Sequence, residues 1–328
     1  MDVLSELNDT EFRTWVKDHW GIRVEAVCDG VVIQGSPERS LSRAVFRGKD
    51  GNLFLMEKFA PEKIGVRQRV ADTLAFLTGN GLTRALSPEP DGNGECLPRY
   101  KKGYFQITRF LDSTALKRPD WLKSADIGQE MAGFLVDMHR AAAGISTAIT
   151  YPGFSIKTYI LRLFKDMRGH APEAHDRYLP VLRFLEKGFF AEHDRLPQIF
   201  CHGDFHPLNV IWQGETMSAV IDWEFTGIKP DSYDAANLVG CAGIEHPEGL
   251  AMPMVIRFLK EIRRNGLISD LGWTWFPEYI LALRFAWLSE WLRKNDTEML
   301  ETELAFMNIL IRHMEELRDI WSFRSDDI

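Results

Sequence analysis

This sequence has few cysteines and no long apolar run. It has only four cysteines, Cys28, Cys96, Cys201 and Cys241, and they lie far apart with no metal-type pair among them. That spacing suggests reduced thiols in a reducing, cytoplasmic compartment rather than a disulfide frame. No apolar run approaches the roughly 20 residues that span a membrane. Met1 to Trp20 is acidic and amphipathic, unlike a signal peptide. A basic excess is missing too. The formal net charge of −8 argues against a nucleic-acid binder and suits a cationic small substrate. There is no internal repeat, no low-complexity linker and no Gly-x-Gly-x-x-Gly. What is present, 45% hydrophobic and 26% charged residues in a chain of 328, is enough for a large core and two lobes.

The chemistry concentrates in one stretch. Residues 202–209 read His-Gly-Asp-Phe-His-Pro-Leu-Asn, and Asp222 follows in Val220-Ile221-Asp222-Trp223. Gln198 to Cys201 is an apolar run entering a His-Gly turn, from which Asp204 can point into a cleft. Pro207 stiffens the loop. Val210 to Trp212 and Met217 to Trp223, separated by Gly214, form a plausible hairpin with Asn209 entering and Asp222 leaving. One carboxylate beside a tight turn, with a carboxamide and a second carboxylate nearby, is what kinase-type phosphoryl transfer requires. A His202, Asp204 and His206 metal cluster is the competing reading, but no further His and Asp motifs support it.

The spacing His-x-Asp-x-x-x-x-Asn resembles the protein-kinase catalytic loop. With Gly203 in place of Arg it resembles the aminoglycoside phosphotransferase and choline kinase family. The resemblance implies an α+β, protein-kinase-like two-lobe fold. It also implies ATP and Mg2+ as cofactors, Asp204 as the catalytic residue for the acceptor hydroxyl, and Asn209 and Asp222 as metal ligands. His202 would be architectural, and Asp234, in Asp231-Ser232-Tyr233-Asp234-Ala235-Ala236, would brace the catalytic loop.

The patterning agrees with that layout. Residues 1–110 form a β-rich nucleotide-binding lobe, with strands expected at Val24–Val27, Val31–Gln34, Leu41–Arg47, Leu53–Phe59 and Tyr104–Thr108. A hairpin turn falls at Lys49-Asp50-Gly51-Asn52, and a helix at Val66–Thr78 ends in Gly79-Asn80-Gly81. Residues 111–328 form a mainly helical catalytic and substrate lobe, with helices at Ala125–Ala142, Ile156–Met167, Arg177–Gly188, Gly249–Asn265, Phe276–Lys294 and Thr297–Trp321.

Phe54, Met56 and Lys58 alternate on one face of their strand, with Glu57 on the other. By resemblance, Lys58 meets the α- and β-phosphates. Its helix partner is not the usual Glu, and Gln68 or Asp72 must serve. The phosphate-covering loop, Gln34 to Ser40, offers Ser36, backbone amides and the charge of Arg39 or Arg43. The lobe connection, with Thr108 and Phe110, would meet adenine. The acceptor is expected to be a small-molecule hydroxyl, with no nucleic-acid or membrane partner. A protein Ser/Thr acceptor and a non-catalytic nucleotide-binding scaffold are the alternatives. Trp287, Glu290 and Trp291 recur at helical spacing and are either a pocket for an amine or a core stripe, while Arg284 and Arg293 point toward an anionic substrate.

Overall fold

The computed structural model describes residues 2–323. The chain forms two compact units, each discontinuous in sequence. Among the described residues, one comprises those up to Ala115 with Arg140–Thr150 and Leu208–Phe225; the other comprises Leu116–His139, Tyr151–Pro207 and those from Thr226 to Phe323.

The first unit is built on a five-stranded antiparallel sheet in the order β1-β2-β3-β5-β4. Its strands are β1 (Val24–Cys28), β2 (Ser42–Gly48), β3 (Leu53–Phe59), β4 (Arg99–Tyr100) and β5 (Gly103–Arg109). Two antiparallel pairs follow: β6 (Gln198–Cys201) with β9 (Gly227–Pro230), and β7 (Val210–Gln213) with β8 (Thr216–Val220). The β7–β8 pair belongs to the first unit and the β6–β9 pair to the second.

Helices α1 (Val3–Leu7) and α2 (Thr10–Trp20) precede the sheet, and α3 (Ile64–Gly79) follows β3. Asp2 and Asp9 cap α1 and α2 by accepting the amides of Ser5 and Phe12. Period-two alternation then sorts the sheet into two faces. Ala44 and Phe46 of β2, Phe54 and Met56 of β3, and Phe105 and Ile107 of β5 form one core with Val3, Leu7, Phe12 and Val16 of the two helices. The other face carries Arg43, Glu57, Gln106 and Thr108; Arg43 and Gln106 both stand opposite Glu57 in register.

The second unit is helical. Its helices are α4 (Ala125–Ala141), whose last two residues belong with the first unit as does α5 (Ile145–Ala148), then α6 (Ile156–His170), α7 (Pro172–Glu186), α8 (Phe189–Glu192), α9 (Tyr233–Glu245), α10 (Pro253–Arg264), α11 (Asp270–Thr274), α12 (Phe276–Lys294), α13 (Thr297–Arg312) and α14 (Met314–Ile320). Helix α12 packs against α6, α9 and α13. Consequently α9 and the first half of α12 are buried nearly all round, including the polar residues Asp234, Asn237, Glu278 and Arg284.

Several expectations change, among them the helix expected at Arg177–Gly188, which runs from Pro172 to Glu186. Val31–Gln34 is not a strand: the Arg43 guanidinium takes the carbonyls of Ile33, Gln34 and Gly35, which a ladder partner would otherwise have filled. The helix expected from Gly249 starts at Pro253, because proline favours the first turn and the preceding residues Pro247–Ala251 form a 3-10 turn. Thr297–Trp321 is two helices, broken at His313.

Candidate active site

The loop carrying Asp204 is shaped by its own unit. Cys201 ends β6, and Thr226 Oγ1 donates to the Cys201 carbonyl at 2.9 Å. Gly203 then takes a left-handed φ of 85°, which a side chain would strain. The buried Asp234 carboxylate accepts the amides of His202 at 2.7 Å and Gly203 at 2.8 Å, which is the bracing role expected of it. Burial pushes its pKa up to about 6 against the pull of those two amides and of Lys229, and nearby Asp204 adds to the rise.

His202 is fully buried and its Nδ1 accepts the Asp204 amide at 3.2 Å, so that nitrogen serves the turn. Asn237 donates to the Phe205 carbonyl at 3.2 Å and fixes the far side of the loop. Asp204 itself lies 3.4 Å from His206 Nε2, and the His206 ring stands 6.1 Å from Trp287, which stacks on Trp291. Among the described residues, no three His, Cys, Asp or Glu side chains group as a metal cluster.

In the other unit, the β7–β8 hairpin places Asn209 and Asp222 at its open end. The Ile221 amide donates to the Asn209 carbonyl at 2.9 Å, continuing the ladder one step beyond Val210 and Val220. Asn209 is buried. Asp222 has a φ of 69°, left-handed backbone that costs a non-glycine residue energy and concentrates at functional sites. Its Oδ2 accepts the Ser36 amide at 3.3 Å, and its Oδ1 lies 3.0 Å from Arg39 Nη1. Gly35, at φ 83°, lets the loop come this close: a Cβ there would sit 3.0 Å from Asp222 Oδ1. Loop 34–40 therefore covers Asp222 with Ser36 and Arg39 together.

The charges beside Asp222 extend further. Glu224 pairs with Arg67 of α3 and lies 3.6 Å from Arg39 Nε. Arg67 also donates to the Arg39 carbonyl at 3.0 Å and lies over the Phe59 ring at 4.2 Å. Glu57 belongs to this group. Burial raises its pKa, Arg67 and Arg43 lower it, and Asp222 and Glu224 raise it.

Lys58 is not brought to Asp222. It projects from the face covered by α1, where it bonds Glu6 at 2.7 Å and lies 5.4 Å from the Phe105 ring. Gln68 is not its partner: it is exposed and donates to Asp72 at 2.9 Å. Arg67, one residue earlier, is buried. Thr108 is buried on the Glu57 face and accepts from Gln106 at 3.4 Å, while the Phe110 amide is taken by the Leu53 carbonyl at 2.9 Å. The signal for this arrangement was present in the alternation of β3, but which face the helices cover was not.

The two arginines read as anion attractors are matched. Arg284 forms a buried pair with Glu303, which also accepts the Trp291 indole at 3.1 Å, and Arg293 pairs with Glu290 at 2.6 Å. Glu245, the last residue of α9, is held by Arg118, and Trp273 lies beside Arg263.

A small antiparallel-sheet lobe followed by a larger helical lobe, with Asp204 on a braced His-Gly turn, defines a protein-kinase-like phosphotransferase. Residues 33–302 match the phosphotransferase enzyme family model (APH), and the chain belongs to that family. It is thus an enzyme, a kinase whose acceptor is a hydroxyl group. It is 26% identical over 252 residues to a homoserine kinase of Beijerinckia indica, covering 72% of this chain and 70% of that one. A homoserine kinase of Rhodopseudomonas palustris is 27% identical over 173 residues, 50% of this chain and 48% of the other. Among solved structures, an amicoumacin kinase in complex with AMP-PNP and Ca2+ superposes at TM-score 0.62 with 12% identity, covering 98% and 97% of the two chains. A macrolide 2′-phosphotransferase from Brachybacterium faecium superposes at 0.59 with 14% identity, covering 93% and 98%. At these identities the structural likeness is one of fold. Among the described residues, no helix is long and apolar enough to cross a membrane.

Proposed function

We propose that the protein transfers the γ-phosphoryl group of ATP to the hydroxyl of a small amino-alcohol in the cytoplasm. The observation that carries this reading is the β7–β8 hairpin, which presents Asn209 and a backbone-strained Asp222 together at its open end. A carboxylate and a carboxamide are the hard oxygen donors that suit Mg2+. Bound there, Mg2+ would neutralise charge on the nucleotide phosphates. Asp222 fits such a cation, since its carboxylate already attracts Arg39 and the Ser36 amide.

In this reading Asp204 orients the acceptor hydroxyl and takes its proton as the hydroxyl oxygen bonds to the γ-phosphorus. The bond from that phosphorus to the bridging oxygen breaks, and ADP leaves. Catalysis is then positioning and charge stabilisation without a covalent enzyme intermediate. Ser36 supplies an amide beside the phosphates, and the backbone from Thr108 to Phe110 meets adenine through groups other than the Phe110 amide, which Leu53 already takes. Lys58 is left outside the nucleotide contacts because it leaves β3 on the face that α1 covers, and Gln68 because it is exposed on α3. The homoserine kinase relatives support a hydroxyl-bearing amino acid as the first acceptor to try.

The test is ADP release with homoserine and a panel of amino-alcohols, for wild type and Asp204→Asn. Turnover in wild type, with a loss on the order of 10²-fold or more in the variant and unchanged Mg-ATP binding, supports the reading. Wild type that binds Mg-ATP but releases no ADP with any acceptor of the panel refutes it in favour of a scaffold.

A further inference from the structure

Lys58 and Glu57 leave β3 on opposite faces, and β3 is an interior strand flanked by β2 and β5. The Lys58 ammonium therefore cannot cross the sheet to the face that looks onto Asp222. That face offers a carboxylate, Glu57, where nucleotide phosphates call for a cation.

Three arginines stand there instead. Arg43 spends its guanidinium on the carbonyls of Ile33, Gln34 and Gly35. Arg67 is tied to Glu224 and to the Arg39 carbonyl, beneath which it packs on Phe59. Both build the loop. Arg39 differs, because its guanidinium lies on the carboxylate that a metal would take, 3.0 Å from Asp222 Oδ1, with Glu224 at 3.6 Å.

We propose that Arg39 is the cation that grips the nucleotide phosphates, stored on Asp222 until a metal-nucleotide complex arrives. Asp222 would hold the divalent ion, and Arg39, released from that carboxylate, would turn its planar fork to the phosphate oxygens. Glu224 and Arg67 keep the loop anchored during this exchange, and Gly35 lets it stay close. The family's usual lysine on β3 and carboxylate on the next helix are thus replaced by a reversed arrangement, Glu57 on β3 and Arg67 on α3, with the phosphate-binding charge moved to the loop. The inference rests on the nucleotide-binding reading above.

Calorimetric titration of Mg-ADP and of adenosine separates the two ideas, using wild type, Arg39→Met, Arg39→Lys and Lys58→Met, each checked by circular dichroism. Loss of a charged hydrogen bond to phosphate predicts Mg-ADP binding weaker on the order of ten-fold or more in Arg39→Met. Adenosine binding stays at the wild-type level, and Arg39→Lys regains part of the Mg-ADP affinity. Lys58→Met keeps wild-type affinity for Mg-ADP while melting at a lower temperature, because Glu6 loses its partner. Wild-type affinity in Arg39→Met, or a loss confined to Lys58→Met, overturns the proposal and leaves the nucleotide site standing. Wild type that binds neither ligand overturns both.

Discussion

Asp234 offers a direct contest between desolvation and hydrogen bonding. Its buried carboxylate is raised from 3.8 to about 6, even though it accepts the amides of His202 and Gly203. Holding it ionised at neutral pH costs about 3 kcal/mol, from about 1.4 kcal/mol per pKa unit. Asp234→Ala recovers that cost but strands two buried N–H groups at about 1–3 kcal/mol each. The alanine variant should therefore be at most about 3 kcal/mol less stable than wild type at pH 7.5. The sign of its pH dependence follows from linkage. Because the pKa is raised in the folded state, the folded protein binds a proton between pH 6 and 3.8 that the unfolded chain does not. Acidification through that window favours wild type over the variant, and the gap widens by up to about 3 kcal/mol. Urea titrations of both proteins from pH 7.5 to 4 measure it. A gap that narrows on acidification would refute the reasoning, because the two amides would then outweigh desolvation. Asp234→Asn keeps the shape but turns an amide toward a backbone N–H, displacing the Asp204 loop. It should lower kcat on the order of 10²-fold with little change in KM.

The buried Arg284–Glu303 pair predicts that Arg284→Met destabilises by about 3–5 kcal/mol, because Glu303 is left fully buried without its counter-charge. Replacing both by Met and Leu should recover most of this in denaturant midpoint; a double variant as unstable as the single one contradicts it. Gly128→Ala would drive a Cβ to 2.2 Å from the Met254 carbonyl, rigid backbone at the start of α10. A loss of about 1–3 kcal/mol is expected as a lower Tm, and an unchanged Tm would show that α4 and α10 can separate cheaply. Gly35→Ala imposes about 1–2 kcal/mol of left-handed strain beside Asp222. Mg-ADP binding weaker by about ten-fold is the expected reading, and unaltered affinity would mean the loop does not hold the nucleotide phosphates.

The sequence by itself determined what local chemistry determines. The His202–Asn209 segment, with its turn, its proline and its spacing to Asp222, named the reaction class. The Phe276–Lys294 helix and the Leu53–Phe59 strand were readable residue for residue, since periodicity and terminators act within a few positions. Alternation even separated Lys58 from Glu57. Tertiary structure alone decided which face of β3 the helices α1 and α2 cover, and a one-residue offset in a strand exchanges inside for outside. Phe12 and Val16, far from β3 in sequence, supply the apolar surface that claims Phe54 and Met56. Lys58 goes with them to Glu6, and Glu57 is left facing Asp222 and its arginines. The lost Val31–Gln34 strand has the same origin, because a guanidinium nine residues from Gln34 satisfied the carbonyls that a ladder would have used. Pairings between distant residues leave no periodic trace, so the charge reversal around Asp222 appears only when the chain is folded.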